Sequence, residues 1–126
     1  LYEEAGLGEL VALPAVAEGT EPAWHMYVVR DEHADELIAA LAHAGVEARA
    51  QYRIAVHRQP AMARWGAAAH LPATDRLART NVAIPMSPVL TAEQANEVVE
   101  AVRAAVVSGP PVKPAPSTTT AEANRA

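Results

Sequence analysis

Arg49, Gln51, Tyr52, Arg53, His57, Arg58 and Gln59 crowd into one stretch of the chain, residues 45–60, which reads GVEARAQYRIAVHRQP. Guanidinium forks, carboxamides, a phenol and an imidazole at such close spacing supply dense hydrogen-bonding chemistry, the kind that binds and orients a polar ligand. A chain with only 20% charged residues and many alanines concentrates that chemistry in few places. Binding groups tend to sit on loops carried by a rigid scaffold, and an amphipathic helical pattern runs up to this stretch. The competing reading is an exposed strand and connection with ordinary polar decoration.

Other chemistries are less well supplied. His25, His33, His43 and His70 fall at spacings that match no zinc motif, and there is no cysteine, so no metal site is expected. The sequence holds no glycine-rich phosphate loop and no serine-centred nucleophile motif. A net charge of -5 argues against a nucleic-acid partner, which calls for a basic face. No apolar run reaches the roughly 20 residues that a membrane span needs, so no membrane partner is expected. The acidic start, LYEEAGLGEL, lacks the basic and apolar regions of a signal peptide. Zero cysteines fit the cytosol, and a cytoplasmic location is the expectation. The first residue is leucine, which points to a chain cut from something longer.

The elements that must position the polar stretch follow from local signals. With 51% hydrophobic residues but no phenylalanine, the core of this 126-residue chain must come from valine, leucine and isoleucine. Trp24, Tyr27, Tyr52 and Trp65 are its candidate large anchors. Residues 1–13 read as the end of a helix, weakened by Gly6 and Gly8 and stopped by Pro14. Residues 24–30 (WHMYVVR) read as a strand covered on both faces. Asp31 is a candidate N-cap for a helix of about three turns, with Leu37, Ile38 and Leu41 on its apolar face and Gly45 as its stop. Residues 46–56 are expected to form a second strand that loses regularity near residues 51–53. A helical turn follows at 59–65, closed by Gly66. Pro72 opens a short helix to Thr80, residues 81–84 (NVAI) form a strand, and Thr91 with Gln94 makes a capping box for a final helix to about Val107. From Gly109 the chain turns to proline, serine and threonine, the composition of a disordered tail. The fold class is therefore α+β: a short, mainly antiparallel sheet with helices on one face.

The order of these pieces resembles the C-terminal part of the DegT/DnrJ/StrS family of nucleotide-sugar aminotransferases. The residues that carry the resemblance are colinear. They run through Trp24-His25-Met26-Tyr27-Val28-Val29-Arg30, then Leu37, Leu41 and Ala44-Gly45-Val46. Next come Gln51-Tyr52-Arg53 and His57-Arg58-Gln59-Pro60, similar to the family's "HYp-x-P-x-H-x-Q-P" segment. Leu71-Pro72-Ala73-Thr74-Asp75-Arg76-Leu77-Ala78 is similar to its "lPvaerla" helix, and Ile84-Pro85-Met86-Ser87-Pro88-Val89-Leu90-Thr91 to its "LPmhp-x-Lt" turn. The resemblance implies the small C-terminal domain of a fold-type-I aminotransferase, dependent on pyridoxal phosphate and working as a homodimer. Residues 1–22 would be the end of an interdomain helix and its connection, residues 23–107 the small domain, and residues 108–126 the tail. Such enzymes move an amino group, usually from glutamate, to a keto group of a nucleotide-linked deoxysugar.

A transaminase of this kind needs a lysine amine to hold its cofactor covalently and to move protons. The sequence has one lysine, Lys113, in the proline-rich tail. The resemblance therefore implies that catalytic residues and most cofactor contacts belong to a missing N-terminal large domain, and that these residues do not transaminate alone. The substrate-side groups it carries over are Gln51, Tyr52, Arg53 and His57. Glutamine stands at 51 where the family has histidine, which favours positioning over proton transfer. Arginine stands at 53 where the family has proline, adding a fixed cation that faces a phosphate or a carboxylate. His57 is open to two readings, a substrate contact or a cap on a strand end or backbone carbonyl. Arg58 reads as a surface or interface pair. Two further readings stay open: a non-catalytic sensor or regulatory member of the same family, and a stand-alone α+β interaction module.

Overall fold

The structure, a computed structural model, describes residues 1–66 and 68–108. Its frame is an antiparallel pair of strands, β1 (Tyr27–Arg30) and β2 (Asn81–Ile84). The register sets Tyr27 against Ile84 and Val29 against Val82, so these four side chains share one face. That face is the core. Against it pack Leu37 and Leu41 of α1 (Ala34–His43) and Val98, Val99 and Val102 of α4 (Ala92–Ser108). The helical residues recur at three- and four-residue spacing, which keeps them on the inner sides of their helices. Leu41, Val29, Val82, Val99 and Val102 are fully buried, and burying each such side chain is worth about 1.5–3 kcal/mol.

The local signals set the helix boundaries. The Asp31 carboxylate accepts the His33 N–H at 2.7 Å, just ahead of α1, although the N-cap residue itself is His33. Thr91 and Gln94 form the reciprocal box at the start of α4: the Thr91 N–H donates to Gln94 Oε1 at 3.0 Å and the Gln94 N–H to Thr91 Oγ1 at 3.2 Å. Two 3-10 turns, Val56–Arg58 and Pro60–Met62, lead into the single turn α2 (Ala63–Gly66). Pro72 then opens α3 (Pro72–Thr80), which runs directly into β2.

Three expectations are corrected. Residues 1–13 form turns and one 3-10 helix, Leu7–Glu9, in place of a helix end. Tyr2, Leu7 and Val11 are buried in the core, and the Tyr2 hydroxyl donates to the Pro85 carbonyl at 2.6 Å. Second, residues 46–56 do not form a strand; a single bridge pairs Arg49 with Ala83, as another pairs Ala12 with Arg30 at the far edge. The next residue pair in that register would be Gln51 and Asn81. There the Asn81 side chain intercepts the ladder, its Oδ1 accepting the Gln51 N–H. Third, the large anchors are Tyr2 and Tyr27, whose rings lie 5.2 Å apart. Tyr52 and Trp65 are exposed, and Trp24, also exposed, leans on Tyr27 from outside at 5.2 Å.

The tail expected from Gly109 onward lies outside the described residues. No described helix is long and apolar enough to cross a membrane.

Candidate functional site

Between α1 and the polar stretch the chain runs extended, and its side chains alternate. Val46 and Ala48 pack against the core. Glu47, Arg49 and Gln51 point the other way and line an open cavity of about 520 Å³, the period-two consequence of an extended backbone. The Arg49 main chain is fixed by two bonds with Ala83, donating at 3.1 Å and accepting at 2.8 Å. His25 and Ser87 add polar groups to the cavity wall, and Met26, Met86 and Leu90 add apolar ones. A cavity of mixed polar and apolar lining, at a size in the range of roughly 300–1,000 Å³, has room for a small ligand. A second opening of about 600 Å³ lies by Gly8–Ala12 and Arg30. It is walled by the Arg76–Glu32 pair at 2.5 Å, and it contains none of the four candidate substrate-side residues Gln51, Tyr52, Arg53 and His57.

Beyond Gln51 the alternation inverts the usual order. Tyr52, Ile54 and Val56 point to solvent, Tyr52 with 73% of its surface exposed, while Arg53, Ala55 and His57 turn inward. The peptide bond between Gln51 and Tyr52 is cis. The inward charges are met by α3 and its neighbours. Arg53 donates from Nη1 to the Ala78 and Arg79 carbonyls at 3.2 and 2.8 Å, and its Nη2 lies 2.6 Å from Asp35 Oδ1. A cation is well placed there, at the C-terminal end of α3 where helix carbonyls carry partial negative charge. His57 Nε2 lies 3.1 Å from Asp75 Oδ1, with the side chain 8% exposed. Arg58 grips the same carboxylate in two places, from Nε at 3.3 Å and Nη2 at 3.0 Å. The Arg58 hydrogen bond holds the Asp75 carboxyl below its ordinary range, and Asp75 in turn holds Arg58 above its own. Gly66 closes the lobe from the other side, since a Cβ there would strike the His57 carbonyl oxygen.

The four residues carried over from the resemblance are thus placed apart. Gln51 lines the cavity, Tyr52 faces outward, and Arg53 and His57 are turned to α3. His57 meets a carboxylate, which neither sequence reading anticipated. Arg49, named in the polar stretch but not among the carried-over residues, and Glu47, not named at all, lie on the same side of the extended run as Gln51 and enter the cavity. The signal for them was available: a period-two count back from Gln51 reaches both. Asn81 and Asp75 gave no local signal, since their roles depend on partners 30 and 18 positions away.

The described residues do not fit covalent attachment of pyridoxal phosphate. They contain no lysine, and so no amine to form the bond. What they offer is recognition and positioning.

Residues 3–103 match the DegT/DnrJ/EryC1/StrS aminotransferase family. The chain is 38% identical over 96 residues to dTDP-3-amino-3,4,6-trideoxy-alpha-D-glucose transaminase from Streptomyces venezuelae, covering 74% of this chain and 25% of that protein. It is 36% identical over 101 residues to a pleiotropic regulatory protein from Geobacillus stearothermophilus, covering 79% of this chain and 27% of that one. A crystal structure of a DegT DnrJ EryC1 StrS aminotransferase from Brucella abortus superposes with a TM-score of 0.76 at 27% identity, over 83% of this chain and 28% of that one. The chain therefore spans about a quarter of the length of the curated relatives it matches.

Proposed function

This chain belongs to the DegT/DnrJ/EryC1/StrS aminotransferase family, and on that premise we propose that it is the small C-terminal domain of a cytoplasmic, homodimeric sugar aminotransferase. The longer enzyme converts a keto group of a nucleotide-linked deoxysugar to an amine, with glutamate as donor. Pyridoxal phosphate supplies the amino-transfer chemistry there and is held mainly by an N-terminal large domain. The part assigned to these residues is narrower. Gln51 orients the sugar nucleotide from the cavity by neutral hydrogen bonds, and Tyr52 stands at the rim where the two domains meet. Arg53 holds the Gln51–Tyr52 segment in place through the Ala78 and Arg79 carbonyls of α3, and His57 lies buried beside Asp75 without a hydrogen bond from its Nε2.

The observation that carries this reading is the colinear match over residues 3–103 to a family whose relatives include dTDP-amino-sugar transaminases. The inverted segment supports it. A row of exposed Tyr52, Ile54 and Val56 backed by inward charges is laid out to be covered by another surface.

The experiment is to extend the reading frame upstream, purify the longer protein and test it for bound cofactor and for transfer from glutamate to a keto-deoxysugar nucleotide. A lysine-bearing domain and turnover are expected. A reading frame with no such domain overturns the proposal. A second reading, a regulatory member that does not transaminate, is favoured by the likeness to the Geobacillus stearothermophilus regulatory protein and by glutamine at 51. Bound cofactor without turnover would select it.

A further inference from the structure

We propose that Arg49 makes the cavity beside Gln51 an anion-binding site, which takes a phosphate or carboxylate group of a small ligand and displaces Glu47 to do so. The proposal rests on the substrate-facing reading of this cavity given above.

Arg53 is held by two α3 carbonyls and Asp35, Arg58 by both oxygens of Asp75, and Arg76 by Glu32 at 2.5 Å. The cation expected from the sequence to meet an anionic ligand, Arg53, is already engaged through both of its terminal nitrogens. Arg49 is arranged differently. Its backbone is locked to Ala83, but its guanidinium meets only Glu47 among the described residues, at 3.6 Å. That is too long for a hydrogen bond. With the two side chains 72% and 84% exposed, the pair contributes little. A guanidinium carries five N–H donors in a planar fork, which matches two oxygens of a phosphate or a carboxylate.

Geometry brings this fork to the cavity. The extended backbone sends Glu47, Arg49 and Gln51 to the same wall, with Ser87 nearby and Met86 and Leu90 as apolar surface. Glu47 competes from within the chain. Its carboxylate, 3.6 Å from the guanidinium, repels an arriving anion. The sign of its effect is therefore opposite to that of Arg49: loss of Arg49 weakens the anion, loss of Glu47 tightens it.

The test is a titration of the 126-residue chain, labelled with nitrogen-15, with thymidine diphosphate and separately with L-glutamate. The Arg49 Nε–H and the Gln51 side-chain amide are followed by NMR. Saturable shifts at both groups are expected with at least one probe, and which probe acts distinguishes phosphate from carboxylate as the source. Arg49→Gln should weaken binding about tenfold, while Glu47→Gln should tighten it about two- to fivefold. Arg103→Gln, an equal change of net charge on α4, should leave it unaltered. The Ala83 amide reports whether each variant keeps the bridge and the fold. The proposal is overturned if neither probe shifts these groups, if Glu47→Gln weakens binding, or if Arg103→Gln costs as much as Arg49→Gln. Anion binding here without turnover by the longer protein would remove the aminotransferase reading and leave the site. Turnover with no anion binding here would remove the site alone.

Discussion

Asn81 stands in for a strand that Gln51 would otherwise extend. Its Oδ1 accepts the Gln51 N–H, and its amide donates to the Leu77 and Ala78 carbonyls at 2.8 and 3.1 Å. One side chain, 1% exposed, thus ties the cavity residue to the last turn of α3. Asn81→Ala should cost about 1–3 kcal/mol, because it leaves the Gln51 N–H without its partner. Urea denaturation measures the loss, and hydrogen exchange at the Gln51 N–H should accelerate more than at the centre of α4. Equal acceleration at both would show that Asn81 has no special hold on Gln51.

The Asp75 carboxylate should keep its hold on residues 57–58 well into acid. The Arg58 hydrogen bond depresses its folded value below the ordinary 3.8. A depressed carboxylate contributes stability that is present above the unfolded value and is lost as pH falls through the folded one. The clamp should therefore persist at pH 4 and release below it. A carbon-13 carboxyl titration of Asp75 gives the midpoint, and Arg58→Gln should move it up toward 3.8. An unmoved midpoint would mean that Arg58 is not the cause.

Tyr2 sets the opposite limit. Burial, with Tyr27 adding to it, pushes its hydroxyl up to about 12. The neutral form is the one that fits, so its contribution is complete below the unfolded value near 10 and is lost as pH rises toward 12. Burial raises Tyr27 as well, so phenolate absorbance should show more than one late step, and Tyr2→Phe should remove the one near 12, which accompanies loss of the fold. A step near 12 that survives in Tyr2→Phe would contradict the burial argument.

The outward row at Tyr52, Ile54 and Val56 should make the isolated chain self-associate. Replacing Ile54 and Val56 by serine touches no buried contact, so stability should change by only about 0.5 kcal/mol. Association measured by sedimentation should fall sharply. A wild-type chain that stays monomeric at high concentration would argue against a face made for covering.

Local signals were enough for much of the frame. Pro72 marks the start of α3, Thr91 and Gln94 build the box they spell, and the short apolar run NVAI at 81–84 is a strand. The site was legible only in part, because its determinants are distant in sequence. Nothing near residues 46–56 says that a side chain at Asn81 will end the pairing after Arg49. Hydrophobicity shows that Tyr52 and Trp65 are large and apolar but not which way they face; Trp65 lies outside, with the Arg64 guanidinium 4.5 Å from its ring. Arg53 read as a cation awaiting an anion because its partners, the Ala78 and Arg79 carbonyls, come from the end of a later helix.

The manner in which residues 52–58 are fastened has one more consequence. Their attachments to α1 and α3 are ionic in large part, Arg53 to Asp35 and Arg58 to Asp75, at or near the surface. The packing of α1 and α4 on the sheet is almost wholly apolar. Surface charges are screened over about 10 Å at 0.1 M ionic strength, whereas excluded salts such as sulfate reinforce apolar burial. Rising sulfate should therefore pull two parts of one small protein in opposite directions, loosening the lobe while tightening the core beneath it.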